Sequence, residues 1–143
     1  MSVKLNKQIL IFLGICLITT NLFAKNNYFD EGKKLYESKN YKKAKFKFEK
    51  DIVFNPKNEN SYLYLAKIFN KEKEESLEEI NLQTVILLNP ENEEALYYLT
   101  LLRIKQSDFL KAKDQINILE KICKKLCSKK AELDEKLKNL LKQ

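Results

Sequence analysis

Residues 28–57 read YFDEGKKLYESKNYKKAKFKFEKDIVFNPK, two apolar stripes at helical spacing separated by a short polar break. Tyr28, Phe29, Gly32, Leu35 and Tyr36 share one face of a first helix that ends near Ser38. Asn40 then offers an N-cap, and Tyr41, Ala44, Phe48 and Ile52 form the stripe of a second helix, which Asn55 and Pro56 stop. The same register returns down the chain. Pro56 and Pro90 lie 34 residues apart, and the spacing also relates Gly32, Ala66 and Thr100; Asn40, Glu74 and Asp108; and Phe48, Leu82 and Ile116. A fixed period of this length is the mark of a helical repeat array.

A second unit, about 58–91, places Tyr62, Leu65, Ala66 and Phe69 on its first helix and Leu77, Leu82, Val85 and Leu88 on its second. The third, about 92–124, sets Leu96, Leu99 and Leu102 against Phe109, Ala112, Ile116 and Leu119, with Asp108 as N-cap between them. Gly32 stands inside a helix, where glycine costs about 1 kcal/mol relative to alanine, so close approach of the paired helix should compensate. Ala44 is the natural counterpart. A final stretch, 128–141, carries Leu133, Leu137, Leu140 and Leu141 on one side and opens on Ser128 as N-cap. It reads as the cap that a solenoid needs to cover its last apolar edge.

These residues resemble the tetratricopeptide repeat family, whose units combine large residues, Leu-Gly and an aromatic on the first helix with Ala, an aromatic and a late Pro on the second. Gly32, Ala44, Phe48 and Pro56 match in the first unit. Tyr62, Leu65, Ala66, Phe69 and Pro90 match in the second, and Leu96, Leu99, Ala112 and Ile116 in the third. The resemblance implies an all-α fold of three hairpins (about 25–57, 58–91 and 92–124) stacked as a short right-handed solenoid with a C-terminal capping helix. Glu78, Arg103 and Lys124 depart from the pattern, and the first of these suggests a middle hairpin that packs more loosely.

Only two Gly and two Pro against 33% charged residues also favour helix. The absence of His removes the usual general base near neutral pH and the commonest zinc ligand, and no phosphate-binding glycine loop or nucleophile elbow occurs. An enzyme is not expected, nor a cofactor or metal. The carboxylate run Glu74, Glu75, Glu78 and Glu79 reads as a solvated helix face.

The first 24 residues follow another plan. Lys4 and Lys7 precede an uncharged apolar run from Ile9 to Ile18, polar residues follow, and Ala24 ends the segment, as in a secretory signal peptide cleaved near Ala24. The alternatives are an uncleaved inner-membrane anchor over residues 9–20 or, ranked lower, lipidation at Cys16. The expected location is periplasmic or secreted. Losing Lys4 and Lys7 lowers the net charge from +7 to +5. Lys42, Lys43, Lys45 and Lys47 read as a solvated helix face rather than a nucleic-acid stripe. Cys123 and Cys127 remain as the only thiols, spaced by four where the chain must bend into the cap. An oxidising compartment favours a disulfide between them, worth about 1–3 kcal/mol for so short a loop.

In tetratricopeptide proteins the first helices line a groove for an extended peptide or a partner helix. Here the resemblance puts Phe29, Lys33, Tyr36, Tyr64, Lys67, Lys71, Tyr97, Tyr98 and Lys105 on that wall. It does not match the family's carboxylate clamp, since Phe29, Leu63 and Tyr97 stand at the clamp positions. Tyr supplies contact area at small entropic cost and Lys supplies charge, so an acidic protein segment with apolar anchors is the expected partner, and nucleic acid is not. Alternatively these Tyr pack between neighbouring hairpins. The expected function is a non-catalytic adaptor of the bacterial envelope. The alternative is a structural or self-associating envelope subunit that docks through its capping helix and basic surface.

Overall fold

A computed structural model describes residues 27–142, and the expected N-terminal leader lies outside the described residues. Among the described residues the chain forms seven helices: α1 (Tyr28–Glu37), α2 (Tyr41–Phe54), α3 (Glu59–Glu72), α4 (Glu75–Leu88), α5 (Glu93–Lys105), α6 (Phe109–Ile122) and α7 (Cys127–Leu141). Helices α1–α2, α3–α4 and α5–α6 pair as hairpins. Each hairpin stacks on the next through α2 on α3 and α4 on α5, and α7 closes the end against α6 and α5. The fold is the all-helical repeat solenoid that the period predicts.

The three hairpin corners are copies of one another. Lys39, Lys73 and Ser107 adopt the left-handed conformation, with φ of 61°, 62° and 59°. In each corner the N–H that follows bonds back five residues: Asn40 to the Leu35 carbonyl at 2.8 Å, Glu74 to Phe69 at 3.0 Å and Asp108 to Arg103 at 2.9 Å. This Schellman arrangement normally recruits Gly at the left-handed position, yet all three corners use a residue with a side chain. Asn40 and Asp108 then cap the second helices by accepting from the Lys43 and Lys111 N–H groups. Glu74, at the equivalent place, makes no side-chain cap.

Three apolar clusters stack along the array. Ala44, Phe48, Leu65, Ile68 and Phe69 form the first, Leu63, Ala66, Leu82, Val85, Ala95, Leu99 and Leu102 the second, and Leu96, Ile104, Ala112, Ile116, Leu119, Leu133 and Leu137 the third. Four residues expected on buried stripes lie outside them. Leu77 and Leu88 on α4 and Leu140 and Leu141 on α7 are exposed, because only the i, i+4, i+7 positions Glu78, Leu82 and Val85, and the pair Leu133 and Leu137, turn inward. Helix α7 starts one residue early, at Cys127, and Ser128 is not its cap.

The closest side chain to Gly32 is the Phe48 ring. A Cβ built there would stand 2.7 Å from Phe48 Cε1 and 2.9 Å from Cδ1, so the ring lies directly on the bare backbone of α1.

The middle hairpin is not loose. Glu78 is buried between α3 and α4 and accepts a 2.9 Å hydrogen bond from Asn70 Nδ2. Burial pushes its carboxyl above the usual carboxylate range, and the Asn70 bond offsets part of that shift. Arg103 is likewise buried and paired, with Nη2 2.5 Å from Glu79 Oε1 and Nη1 3.0 Å from Gln106 Oε1. The two charges that break the apolar pattern are therefore paired inside it, although the buried Arg103 Nε has no hydrogen-bond partner.

Gly32→Ala should destabilise the fold. The substitution gains about 1 kcal/mol of helix propensity. Overpacking against a fully buried ring costs about 1–3 kcal/mol. Urea unfolding should show a net loss of up to about 2 kcal/mol, which Phe48→Leu in the same chain partly recovers. A more stable Gly32→Ala protein would show that the ring yields.

Candidate functional site

The first helices α1, α3 and α5 present a chain of touching aromatic and basic side chains. Tyr64 is central: it stacks on Phe48 with ring centroids 5.0 Å apart, and it takes the Tyr36 ring edge-on at 5.0 Å and the Phe29 ring at 5.9 Å. Tyr36 also packs on Tyr41 at 5.3 Å. Lys67, one turn beyond Tyr64, lies over the Tyr64 ring at 4.9 Å and the Tyr98 ring at 5.8 Å, joining the second unit to the third. Tyr98 meets Tyr97 at 5.5 Å, and Tyr97 donates to Glu132 of α7 at 3.2 Å.

Burial first, and then the neighbouring Tyr98, Tyr41, Tyr64 and Glu94, raise the Tyr36 hydroxyl above its ordinary value. Tyr98 is raised by burial and then by Glu94, and Tyr97 by burial and then by Glu132. All three hydroxyls stay protonated well above neutral pH; Tyr97 spends its donor on Glu132, and Tyr36 and Tyr98 keep theirs.

The face ends in a cleft of about 500 Å³ between α5 and the start of α7, lined by Asn92, Glu93, Glu94, Tyr97, Tyr98, Lys125, Leu126 and Lys129. Its floor is built by one carboxylate. Glu93 accepts from three successive backbone N–H groups, Lys124 at 2.9 Å, Lys125 at 3.0 Å and Leu126 at 2.6 Å. Those bonds, led by Leu126, hold the Glu93 carboxyl below the usual range. Glu59, 34 residues earlier, grips the preceding turn in the same way by accepting from Asn89 and Asn92 side chains at 2.9 and 3.3 Å. At the first such turn Asp51, fully buried, accepts from Asn55, Asn58 and Ser61 instead.

The nine residues expected on the groove wall fall into three groups. Tyr36, Tyr64, Lys67, Tyr97 and Tyr98 form the linked path, whereas Phe29, Tyr36 and Tyr64 also pack against the first core cluster, so they serve packing as well. Lys33 and Lys71 have no carboxylate partner among the described residues, and Lys71 rests over Tyr41 at 5.2 Å. Lys105 is drawn aside to Glu75 at 2.8 Å, the same register in which Lys71 meets Tyr41. Lys67 is already paired with Glu94 at 2.6 Å. Sequence reasoning missed Glu94, Lys125 and Lys129. Only the fold brings α7 beside α5, so no periodicity could have marked the two lysines.

The sulfurs of Cys123 and Cys127 lie 2.17 Å apart with Cα atoms 5.2 Å apart, and the two residues flank the cleft-lining Lys125 and Leu126 in sequence. Cys123 and Cys127 occupy the positions of Asn55 and Glu59 in the first turn, and of Asn89 and Glu93 in the second. Among the described residues, no three His, Cys, Asp or Glu side chains are grouped to hold a metal ion, and no helix is long and apolar enough to cross a membrane.

No family model matches the sequence, and no curated protein matches it. Solved structures do. The first TPR of Spaghetti (RPAP3) bound to the HSP90 peptide SRMEEVD has a TM-score of 0.71 at 17% identity, over 80% of this chain and 90% of that one. The Arabidopsis OM64 TPR domain also gives 0.71, at 16% identity over 78% and 92% of the two chains. The TPR2B domain of yeast Sti1 in its pHsp70 complex gives 0.71, at 14% identity over 77% and 92%.

Glu93→Ala should loosen the turn between α6 and α7. A group whose folded value is depressed stabilises above its unfolded value, and that contribution is lost as the pH falls through the folded value. The variant should therefore melt at lower temperature than wild type near neutral pH, with the gap closing in acid. A constant gap would assign the effect to lost packing.

Proposed function

We propose that this chain, whose fold is that of the tetratricopeptide repeat domains it matches, is a non-catalytic adaptor that binds an extended peptide or a partner helix across α1, α3 and α5. The observation that carries the proposal is the unbroken path Tyr36, Tyr64, Lys67 and Tyr98, which joins all three hairpins and opens into the cleft at α7. Partly buried Tyr side chains with free hydroxyl donors make such a surface effective at low entropic cost. Two of the structural neighbours are complexes, one with an HSP90 peptide and one with pHsp70.

The partner segment carries apolar anchors and a carboxylate. Lys125 stands at the cleft and Lys33 and Lys71 lie along the wall, all three without a carboxylate partner among the described residues, whereas Lys67 is paired with Glu94 and Lys129 with Glu132 at 2.7 Å. The three unpaired lysines are thus the places for the ligand's acid, and the Tyr36–Tyr64 end the place for its apolar groups. The adaptor works in the bacterial envelope after export through its N-terminal segment and cleavage near Ala24. A disulfide between Cys123 and Cys127 then braces the cleft rim in an oxidising compartment.

Capture from bacterial envelope extract tests the binding face. Tyr98→Ala with Lys129→Glu should cut recovery of the partner about tenfold or more, the scale of a lost aromatic hot spot, while circular dichroism stays helical. Tyr64 is avoided because its stack on Phe48 makes it part of the core. Undiminished capture would place the partner elsewhere.

Thiol titration tests the export reading. Protein taken from its native compartment should expose no reactive thiol at Cys123 and Cys127 until reduced. Two free thiols would count against both export and the brace.

A further inference from the structure

The charge of the array is confined to one end. Residues 27–58, the first hairpin and its following turn, hold nine Lys against five acidic residues, whereas residues 59–142 hold fifteen basic and fifteen acidic ones. The excess positive charge of the described array therefore belongs to the first hairpin and its turns, where α2 holds five Lys against two acidic residues and α1 two Lys against three. Among the described residues, Lys42, Lys43 and Lys50 of α2 and Lys57 of the following turn have no carboxylate partner, and the three on the helix share its outward side.

That same side carries exposed apolar groups. Phe46 is 54% exposed, Val53 73% and Phe54 57%. The Lys50 ammonium lies over the Phe46 ring at 4.7 Å and over the Tyr28 ring at 5.6 Å, so a cation sits against the exposed apolar groups. Helix α4 continues the apolar part 34 residues later with Ile80 and Leu87, and α6 ends it with Asp114 and Lys121 at the corresponding positions. Such an apolar strip with lysines along its margin has the composition of an interfacial membrane surface.

The start of the described chain points to the same place. Tyr28, at the start of α1, stacks on Phe54 with centroids 5.6 Å apart. The described chain thus begins next to Phe54, and the sequence before it carries Lys4, Lys7 and the apolar run Ile9–Ile18.

We infer that the outward face of α2 docks on an anionic bilayer surface, seating Phe46, Val53 and Phe54 at the headgroup boundary while the lysines meet lipid phosphates. This surface is separate from the tyrosine path, so docking leaves the peptide face open. It does not depend on whether the N-terminal segment is cleaved, since every residue it uses lies in the array.

The sequence contains no Trp, so a single introduced Trp reports its own surroundings. The full chain carrying Val53→Trp is mixed with vesicles of equimolar phosphatidylcholine and phosphatidylglycerol, with and without brominated acyl chains. Leu110→Trp, exposed on α6 in the third hairpin, is the control. The local readout separates docking by α2 from any binding by the N-terminal segment alone. The Val53→Trp emission should shift to the blue and be quenched by bromine. Quenching should fall with phosphatidylcholine alone, with added salt, and with Lys42→Glu plus Lys50→Glu. Leu110→Trp should show neither change. The proposal is overturned if vesicle-bound protein leaves Val53→Trp unquenched, or if both positions are quenched alike. It is overturned as well, in favour of a second copy of this chain, by a blue shift that grows with protein concentration without vesicles.

Discussion

One contact sets the geometry on which the rest depends: a large side chain of each second helix seated on a small residue of its first helix. In the first hairpin this is Phe48 on the bare backbone of Gly32, and the period places Leu82 over Ala66 and Ile116 over Thr100. The small residue lets the two helices approach, and the ring fills the space so created. Phe48 then offers its other face to Tyr64 of the next hairpin, in a stack 5.0 Å apart. A packing device inside one repeat thereby fixes the tyrosine that organises the binding face, so core and site share a wall.

Between hairpins the locks are polar, and only the partner on the second helix keeps its place in the repeat. Lys45 of α2 meets Glu72 of α3 at 2.8 Å; one repeat on, Glu79 of α4 meets Arg103 of α5 at 2.5 Å. The acid and base have exchanged helices. Lys45 also lies over Phe69 at 5.3 Å, the residue that Arg103 replaces. The same logic governs the turns, where Glu59 and Glu93 each grip the next connection through hydrogen bonds. Partly buried charges of this kind specify which hairpin follows which, because a wrong neighbour would leave them unpaired.

The hairpins, their order and the cap were legible because each depends on local periodicity: Gly32, Asn40, Phe48 and Pro56 recur by type. Glu78 and Arg103 were legible only as departures, and they suggested looseness. Their partners, Asn70, Glu79 and Gln106, lie on neighbouring helices that no single-helix pattern reveals. The same limit applies to α7. Its Ser128 looked like a cap, but the carboxylate that bonds the N–H groups at its entry is Glu93, from another hairpin. On the candidate face, the aromatic residues were visible as types at the right spacing, whereas the pairing of Lys67 with Glu94 and the contribution of Lys129 required three dimensions.

That pairing changes how the two surfaces can work. At the centre of the tyrosine path the positive charge is cancelled by Glu94, so recognition there rests on ring contacts and hydroxyl donors, which salt screens little. On α2, Lys42, Lys43 and Lys50 lack carboxylate partners among the described residues, whereas Lys45 and Lys47 are paired with Glu72 and Glu31, and attraction of the three to an anionic surface falls steeply with ionic strength. A chain that kept all its excess charge on the peptide face would bind acidic segments and anionic lipid at the same place, in competition. Placing that charge on the outward side of the first hairpin removes the competition, because each ligand then meets a surface the other does not use.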